Sequence, residues 1–295
     1  MARIKDSLTG LSRLVRPLSN IKNIVIVAVA FYFSGADFHL VSVLLGFFSL
    51  SFISSAIYGY NTINDLHLDQ DNENKKYYAQ GVQFFGERKS LTIVLFLTVM
   101  GLAVGIFLGY YFFIALIFLT ASGFFYSSKY TRFKEKIVLD ILFGASLTFL
   151  FRFIAAWFIF SNNFPALLPM LALVFGKTSG YLLYKGLDRE YLLNKHIKNT
   201  ITFISLKSLF IFSFSFAALT ISSIVLMFFN STYFHVDALG YLPVRALFLI
   251  PFIIPPTVVI FFQIKEKTKF SNPFLRFCGY MYMLWVTITI YWFLS

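Results

Sequence analysis

Apolar stretches of about 20 residues recur from one end of the chain to the other, each long enough to cross a bilayer core as a helix. Their placement predicts about nine spans, at roughly 22–36, 40–61, 91–109, 110–127, 137–160, 165–186, 201–229, 242–263 and 276–294. Ahead of the first, Ile4, Leu8, Leu11, Leu14, Val15 and Leu18 fall at helical spacing, with Arg3, Lys5, Arg13 and Arg16 between them. That pattern predicts an amphipathic helix over residues 1–20, lying in the membrane interface. The expected fold is all-α, a polytopic membrane protein forming one domain over residues 1–295. No short leading apolar segment is followed by a small-residue cleavage site, so the first span is expected to remain as an anchor.

Charge follows the same alternation. Lys and Arg gather at the N-terminus and in regions 75–89, 129–136, 185–198 and 265–276, whereas the connections near Asp37, Gly109, Asn162 and Asp237 hold almost none. The excess of Lys and Arg on cytoplasmic loops then places the N-terminus in the cytoplasm and, with an odd number of spans, the C-terminus outside. Composition agrees, with 58% hydrophobic, 20% aromatic and 13% charged residues, where a soluble domain carries about 25% charged. A net charge of +12 would suit nucleic acid, but its confinement to short connections assigns it to a membrane surface, and no nucleic-acid partner is expected. The single cysteine, Cys278, excludes a disulfide framework within the chain and a cysteine metal cage.

The chemistry concentrates where the second span ends, in Tyr60-Asn61-Thr62-Ile63-Asn64-Asp65-Leu66-His67-Leu68-Asp69-Gln70-Asp71-Asn72-Glu73. If the helix continues, Asn61, Asp65 and Asp69 lie four residues apart on one face, and His67 points away from them. Two carboxylates at a helix C-terminus repel each other and oppose the negative end of its dipole. A cation relieves both costs, and oxygen-only ligands suit Mg2+ completed by water and substrate phosphate. The competing reading is a solvated acidic loop that balances Lys75, Lys76, Arg88 and Lys89.

This string resembles the first aspartate-rich motif of UbiA-superfamily prenyltransferases, Asn-Asp-x-x-Asp-x-x-x-Asp, with Asn61, Thr62, Asp65 and Asp69 at the motif positions. Asn72, Lys76 and Gly81 match the Asn, basic residue and Gly that follow. Thr62 stands where the family has Asp, which leaves one carboxylate fewer. Two further stretches resemble one branch, the decaprenyl-phosphate phosphoribosyltransferases. Arg16, Pro17, Lys22 and Asn23 match its Arg-Pro-x-Gln-Trp-x-Lys-Asn, with Ser19 and Asn20 in place of Gln and Trp. Tyr126, Ser127, Lys129, Asp140 and Arg152 are similar to its Tyr-Ser…Lys…Asp…Arg pattern. Gly176-Lys177 keeps the start of its Gly-Lys-Arg, followed here by Thr178 and, three residues further, Tyr181.

The resemblance implies a UbiA-type helix bundle in a bacterial inner membrane, with a cytoplasmic active site in which Asp65, Asp69 and Asn61 are catalytic and hold Mg2+. It implies substrate contacts from Lys22, Asn23, Lys76, Tyr126, Lys129, Asp140, Arg152, Lys177 and Tyr181. The implied reaction transfers 5-phosphoribosyl from phosphoribosyl diphosphate to a polyprenyl phosphate, in the synthesis of a cell-envelope glycan precursor. Two alternatives stand beside it. One is ordinary UbiA transfer of a prenyl chain from its diphosphate to an aromatic or other acceptor, and the other is a non-catalytic lipid-phosphate carrier.

Position within the spans adds weight to some of these residues. Arg152 and Lys177 fall inside the fifth and sixth spans, where facing lipid would cost several kcal/mol, so each is expected to face the bundle interior and meet an anion. Asp140 is about three turns from Arg152 on the same helix, too far to pair easily. Lys22 with Asn23, and Lys129 beside Tyr126, sit at helix ends, where snorkelling to lipid headgroups is an equal explanation. Asp188 and Glu190 form a weaker candidate for a second acidic motif. Gly176-Lys177-Thr178 lacks the first glycine of a nucleotide phosphate loop, Leu171 standing in its place. His39, His67, His196 and His235 have no metal-ligand spacing.

Overall fold

A computed structural model describes residues 2–72 and 75–242, so the spans expected over 242–263 and 276–294, and Cys278, lie outside the described residues. The described residues contain helices and no strand. In order these are α1 (Ala2–Val15), a 3-10 turn (Pro17–Asn20), α2 (Ile21–Ser34), α3 (Leu40–Asn64), α4 (Leu66–Asp69), α5 (Lys76–Phe85), α6 (Glu87–Ile106) and α7 (Tyr110–Ser127). There follow α8 (Leu139–Ile141), a π-helical segment (Leu142–Leu147), α9 (Thr148–Trp157), α10 (Leu167–Leu187), α11 (Arg189–Asn194), α12 (Thr200–Phe203) and α13 (Leu206–Phe229). Among the described residues, seven stretches are long and apolar enough to cross a membrane, beginning with Asp6–Ser34 and ending with Leu206–Phe234.

Breaks between helices follow local chemistry. Pro17, with no N–H to donate, opens the 3-10 turn, and Arg16 before it takes φ 52°, so α1 and α2 are separate helices. Gly86 (φ 75°) and Gly109 (φ 106°) supply the left-handed backbone at the turns before α6 and α7. The span expected from residue 201 begins later. Asn199 caps α12 with a reciprocal Thr202 bond, Ile204 is extended, and Ser205 caps a fresh start at α13.

Packing relies on small residues where helices approach most closely, as membrane bundles do. A Cβ on Gly101 of α6 would stand 3.1 Å from the Ser49 carbonyl of α3, and Ser49 Oγ donates to the Gly101 carbonyl at 2.7 Å. On α10 and α13, the Ser179 and Ser213 hydroxyls lie 3.1 Å apart. Large apolar side chains such as Phe96 and Val99 of α6 and Ile211 and Phe212 of α13 remain exposed, an arrangement water penalises and lipid does not. The main core joins Ile26, Leu50, Ile53, Phe112, Leu116, Phe153 and Trp157 from α2, α3, α7 and α9. α1 packs on α5, where Gly81 admits the Leu14 backbone.

Candidate active site

α3 ends at Asn64, and Asp65 leaves the helical region with φ −105° and ψ 9°. The helical hydrogen-bond register nonetheless survives the break. Asp65 N–H donates to the Asn61 carbonyl at 3.0 Å, and Asp69 N–H donates to the Asp65 carbonyl at 2.8 Å. Asn61, Asp65 and Asp69 therefore line one pocket, with Leu68, Lys75, Tyr126, Lys134, Glu135, Lys185, Tyr191, Leu192, Ile197 and Asn199. Its empty space, counting the open mouth, is about 500 Å³. The lining draws on the ends of α3, α7 and α10 and on the three basic connections that follow them.

Each carboxylate has a lysine. Lys134 donates to Asp65 Oδ1, and Lys75 Nζ lies 3.2 Å from Asp69 Oδ1. Burial, with Asp65 nearby, raises the Asp69 carboxyl above its ordinary range, and Lys75 pulls the other way. Burial likewise lowers the Lys134 ammonium below its ordinary value, against the opposite pull of Asp65. Asp69 is 1% exposed, and its Oδ2 is buried with no hydrogen-bond partner. Two carboxylates and an amide oxygen around an orphaned buried oxygen fit a hard divalent cation. Asn61 Oδ1 accepts from Ser127 Oγ at 2.7 Å, which fixes that amide oxygen beside the pocket. Among the described residues no cluster of three or more His, Cys, Asp or Glu forms a metal cage. A cation here must complete its shell from water and an anionic ligand.

The residues expected to touch substrate divide into three groups. Tyr126 lines the pocket, and Tyr181 joins it through a 3.0 Å hydroxyl–hydroxyl hydrogen bond. Gly144, in the π-helical segment, makes room for that pair, since a Cβ there would meet both rings within 3.0 Å. A second group lies deeper. Lys22 sits 4.4 Å over the Tyr58 ring, and Arg152 and Lys177 approach the same tyrosine. The third group does not reach the pocket. Lys76 is exposed at the first position of α5, and its neighbour Lys75 takes the place expected for it. Lys129 is exposed just past α7, and Lys134 fills the basic position instead. Asp140 holds α12 to the start of α8: its oxygens accept from the Thr200 hydroxyl and, at 3.2 Å, from the Thr200 N–H. Asn23 is fully buried and ties α2 to α3, donating to Ser51 Oγ at 3.2 Å and Ser54 Oγ at 3.4 Å.

Three further points correct or complete the motif reading. Thr62, where the family pattern has Asp, is fully buried and accepts from Arg16 at 2.5 Å, so it is not among the pocket-lining residues. Asp188 is buried beside Lys185 and Glu190 is exposed, and neither lines the pocket. His67 is exposed, away from the carboxylates. No motif in the sequence marks Lys134, Lys185, Tyr191 or Asn199; the first three fall within the basic connections, and Asn199 directly follows one of them.

The profile of the UbiA prenyltransferase family matches residues 23–274. The chain belongs to that family. Its members are transferases, and the fold agrees with solved UbiA structures. A UbiA homolog from Archaeoglobus fulgidus bound to GPP and Mg2+ superposes with a TM-score of 0.73 at 19% identity, over 96% of this chain and 99% of that one. An apo UbiA homolog from Aeropyrum pernix K1 gives 0.70 at 16% identity, over 94% and 97%. A structure of digeranylgeranylglyceryl phosphate synthase gives 0.67 at 15% identity, over 96% and 98%. No curated protein matches in sequence.

Proposed function

We propose that this UbiA protein transfers 5-phosphoribosyl from phosphoribosyl diphosphate to a polyprenyl phosphate at the cytoplasmic face of a bacterial inner membrane. The observation that carries this is the lining of the aspartate pocket. Among the described residues ten of its thirteen lining side chains are polar or charged, and three, Leu68, Leu192 and Ile197, are apolar. A ribose phosphate finds hydrogen-bond partners on such a wall, whereas a prenyl chain needs an apolar one. The resemblance of Arg16, Pro17, Lys22, Asn23, Tyr126, Ser127, Asp140 and Arg152 to the phosphoribosyltransferase branch supports the same donor.

Asp65, Asp69 and Asn61 would hold Mg2+, which neutralises charge on the diphosphate leaving group when bound. Lys75, Lys134 and Lys185 stand ready to receive phosphate oxygens, because each lines the pocket that the diphosphate would enter. A phosphate oxygen of the acceptor forms a bond to the anomeric carbon as that carbon's bond to the diphosphate breaks. The diphosphate leaves with the electron pair. The acceptor oxygen is already anionic, so no general base is needed, in keeping with a pocket lined by no histidine. Tyr126, Tyr181 and Tyr191 are placed to orient the sugar. The three basic connections around the pocket support its cytoplasmic placement, and a helix at Ala2–Val15 carrying Arg13 supports an interfacial role for the N-terminus.

A second reading, prenyl transfer from a prenyl diphosphate, is favoured by the A. fulgidus homologs, whose structures carry GPP or DMAPP with Mg2+. Membrane-reconstituted protein supplied with labelled phosphoribosyl diphosphate, polyprenyl phosphate and Mg2+ separates the two. Label passing into the organic phase supports the proposal. Turnover with a prenyl diphosphate and an aromatic acceptor, and no labelled lipid, assigns the chain to ordinary prenyl transfer.

A further inference from the structure

About seven residues before Asp65 on α3, which is roughly 10 Å along a helix, Tyr58 gathers three cations. Lys22 Nζ lies 4.4 Å from its ring centroid, and Arg152 and Lys177 lie near enough to act on it electrostatically. Among the described residues no ion pair involves Lys22, Arg152 or Lys177. Arg152 is 4% exposed, and its Nε is buried without a hydrogen-bond partner. Three like charges around one tyrosine repel one another inside a bundle, and an anion among them relieves that cost.

The cluster is open on one side among the described residues. Lys177 keeps accessible surface on α10, with Tyr58 and Arg152 near it. One turn on, a Cβ at Gly180 would meet nothing within 4 Å. None of the four residues lines the aspartate pocket. Both α3 and α10 connect the two levels along one face: Tyr58, Asn61 and Asp65 on the first, Lys177, Tyr181 and Lys185 on the second. The hydrogen-bonded Tyr126–Tyr181 pair lies between them.

We infer that Lys22, Tyr58, Arg152 and Lys177 form a second anion site that binds the terminal phosphate of a lipid phosphomonoester, the acceptor of the transfer. The inference rests on the reading that the aspartate pocket takes the donor's diphosphate. Depth selects the lipid source. Arg152 lies within the candidate span Leu139–Trp157, where a phosphate carried on a hydrocarbon tail arrives from the bilayer and a free phosphate must first be stripped of water. The same three charges argue against an allylic carbocation at this level, since they would raise its energy.

Binding to the full chain in lipid nanodiscs tests this with four probes: farnesyl monophosphate, farnesol, inorganic phosphate, and inorganic diphosphate with Mg2+. Arg152→Gln and Lys177→Gln are each expected to weaken farnesyl monophosphate binding by about tenfold or more, the size of one lost charge-assisted contact. Both should leave diphosphate binding within about threefold, and Arg152→Lys should restore most of the loss, which separates charge from fold. Asp65→Asn should show the opposite pattern. Farnesol should not compete, and inorganic phosphate should compete only at far higher concentration. Equal loss of both phosphate ligands in the Arg152 and Lys177 variants overturns the inference, as does unchanged farnesyl monophosphate binding. Inorganic phosphate competing as well as the lipid phosphate overturns the lipid source. If wild-type protein binds farnesyl monophosphate but not Mg2+–diphosphate, the donor reading fails while this site stands.

Discussion

The two charged levels of the bundle follow opposite rules. In the aspartate pocket each buried carboxylate has a lysine partner, Lys134 on Asp65 and Lys75 on Asp69. Around Tyr58 three cations gather, and among the described residues none of them has an acidic partner. A level with paired charges is held by its lysines, yet Asp69 Oδ2 is left without a partner, a place for a cation. A level of one sign is incomplete until an anion enters. One helix pair, α3 and α10, thus carries a site that needs a metal-bound anion above a site that needs a bare one. That division suits the proposed reaction, which joins two phosphate-bearing substrates.

Removing the acids should have the largest effect. Asp65→Asn and Asp69→Asn are each expected to lower turnover by about a thousandfold or more, because the leaving diphosphate loses the group that gathers its counter-charge. Chelation of Mg2+ should do the same to the unmodified protein, reversibly. Labelled-lipid turnover with and without chelator checks both. Activity that persists through chelation would remove the metal and with it the role given to the aspartate pocket.

The lysines provide a finer cut, because they distinguish place from composition. Lys75→Gln and Lys134→Gln should raise the KM for the diphosphate substrate by about ten- to a hundredfold, the range for a charged contact to phosphate. Lys76→Gln should change it less than about twofold, since Lys76 is exposed and outside the pocket. Steady-state kinetics on the three variants decides it. An effect at Lys76 as large as at Lys75 would mean the connection between α4 and α5 is arranged differently when substrate is present.

Seven of the expected spans and the shared face of Asn61, Asp65 and Asp69 were legible in the sequence, because hydrophobic run length and four-residue spacing are properties of a single helix. What surrounds the carboxylates was not. Lys134 meets Asp65 across 69 residues of chain, and Tyr191 donates to the Leu68 carbonyl across 123, and no periodicity records such neighbours. The break at Asp65 and the π-helical segment that admits Tyr126 and Tyr181 against Gly144 depend on tertiary packing. Asp140 shows the converse: a buried acid in a motif reads as a ligand contact, and the structure gives it Thr200 as a partner. Thr62 is the most instructive position. By family pattern it is a missing carboxylate, and by geometry it is the acceptor for Arg16, whose guanidinium also lies 3.8 Å from the Tyr78 ring centroid. Thr62→Asp should therefore pair with Arg16, leaving the Mg2+ concentration for half-maximal turnover within about threefold. A clear gain in metal affinity would show that this position reaches the pocket after all.

The smallest effect belongs to the rim. Lys195 Nζ donates to Asp71 Oδ2 at 2.8 Å, joining the segment after α11 to the segment after α4, and both side chains are exposed. The hydrogen bond to Asp71 raises the Lys195 ammonium above its ordinary value. A group raised in the folded protein stabilises it fully below the unfolded value of 10.5 and loses that contribution as pH climbs through the folded value. Near neutral pH the pair is thus fully formed, yet water and salt screen it. Lys195→Ala and Asp71→Asn should each leave the melting temperature in detergent within about 1 °C of the parent at pH 7. High salt should shrink even that difference. A much larger drop, matched by lost turnover, would mean that the rim ion pair helps hold the carboxylates in place, and the aspartate pocket would no longer be self-sufficient.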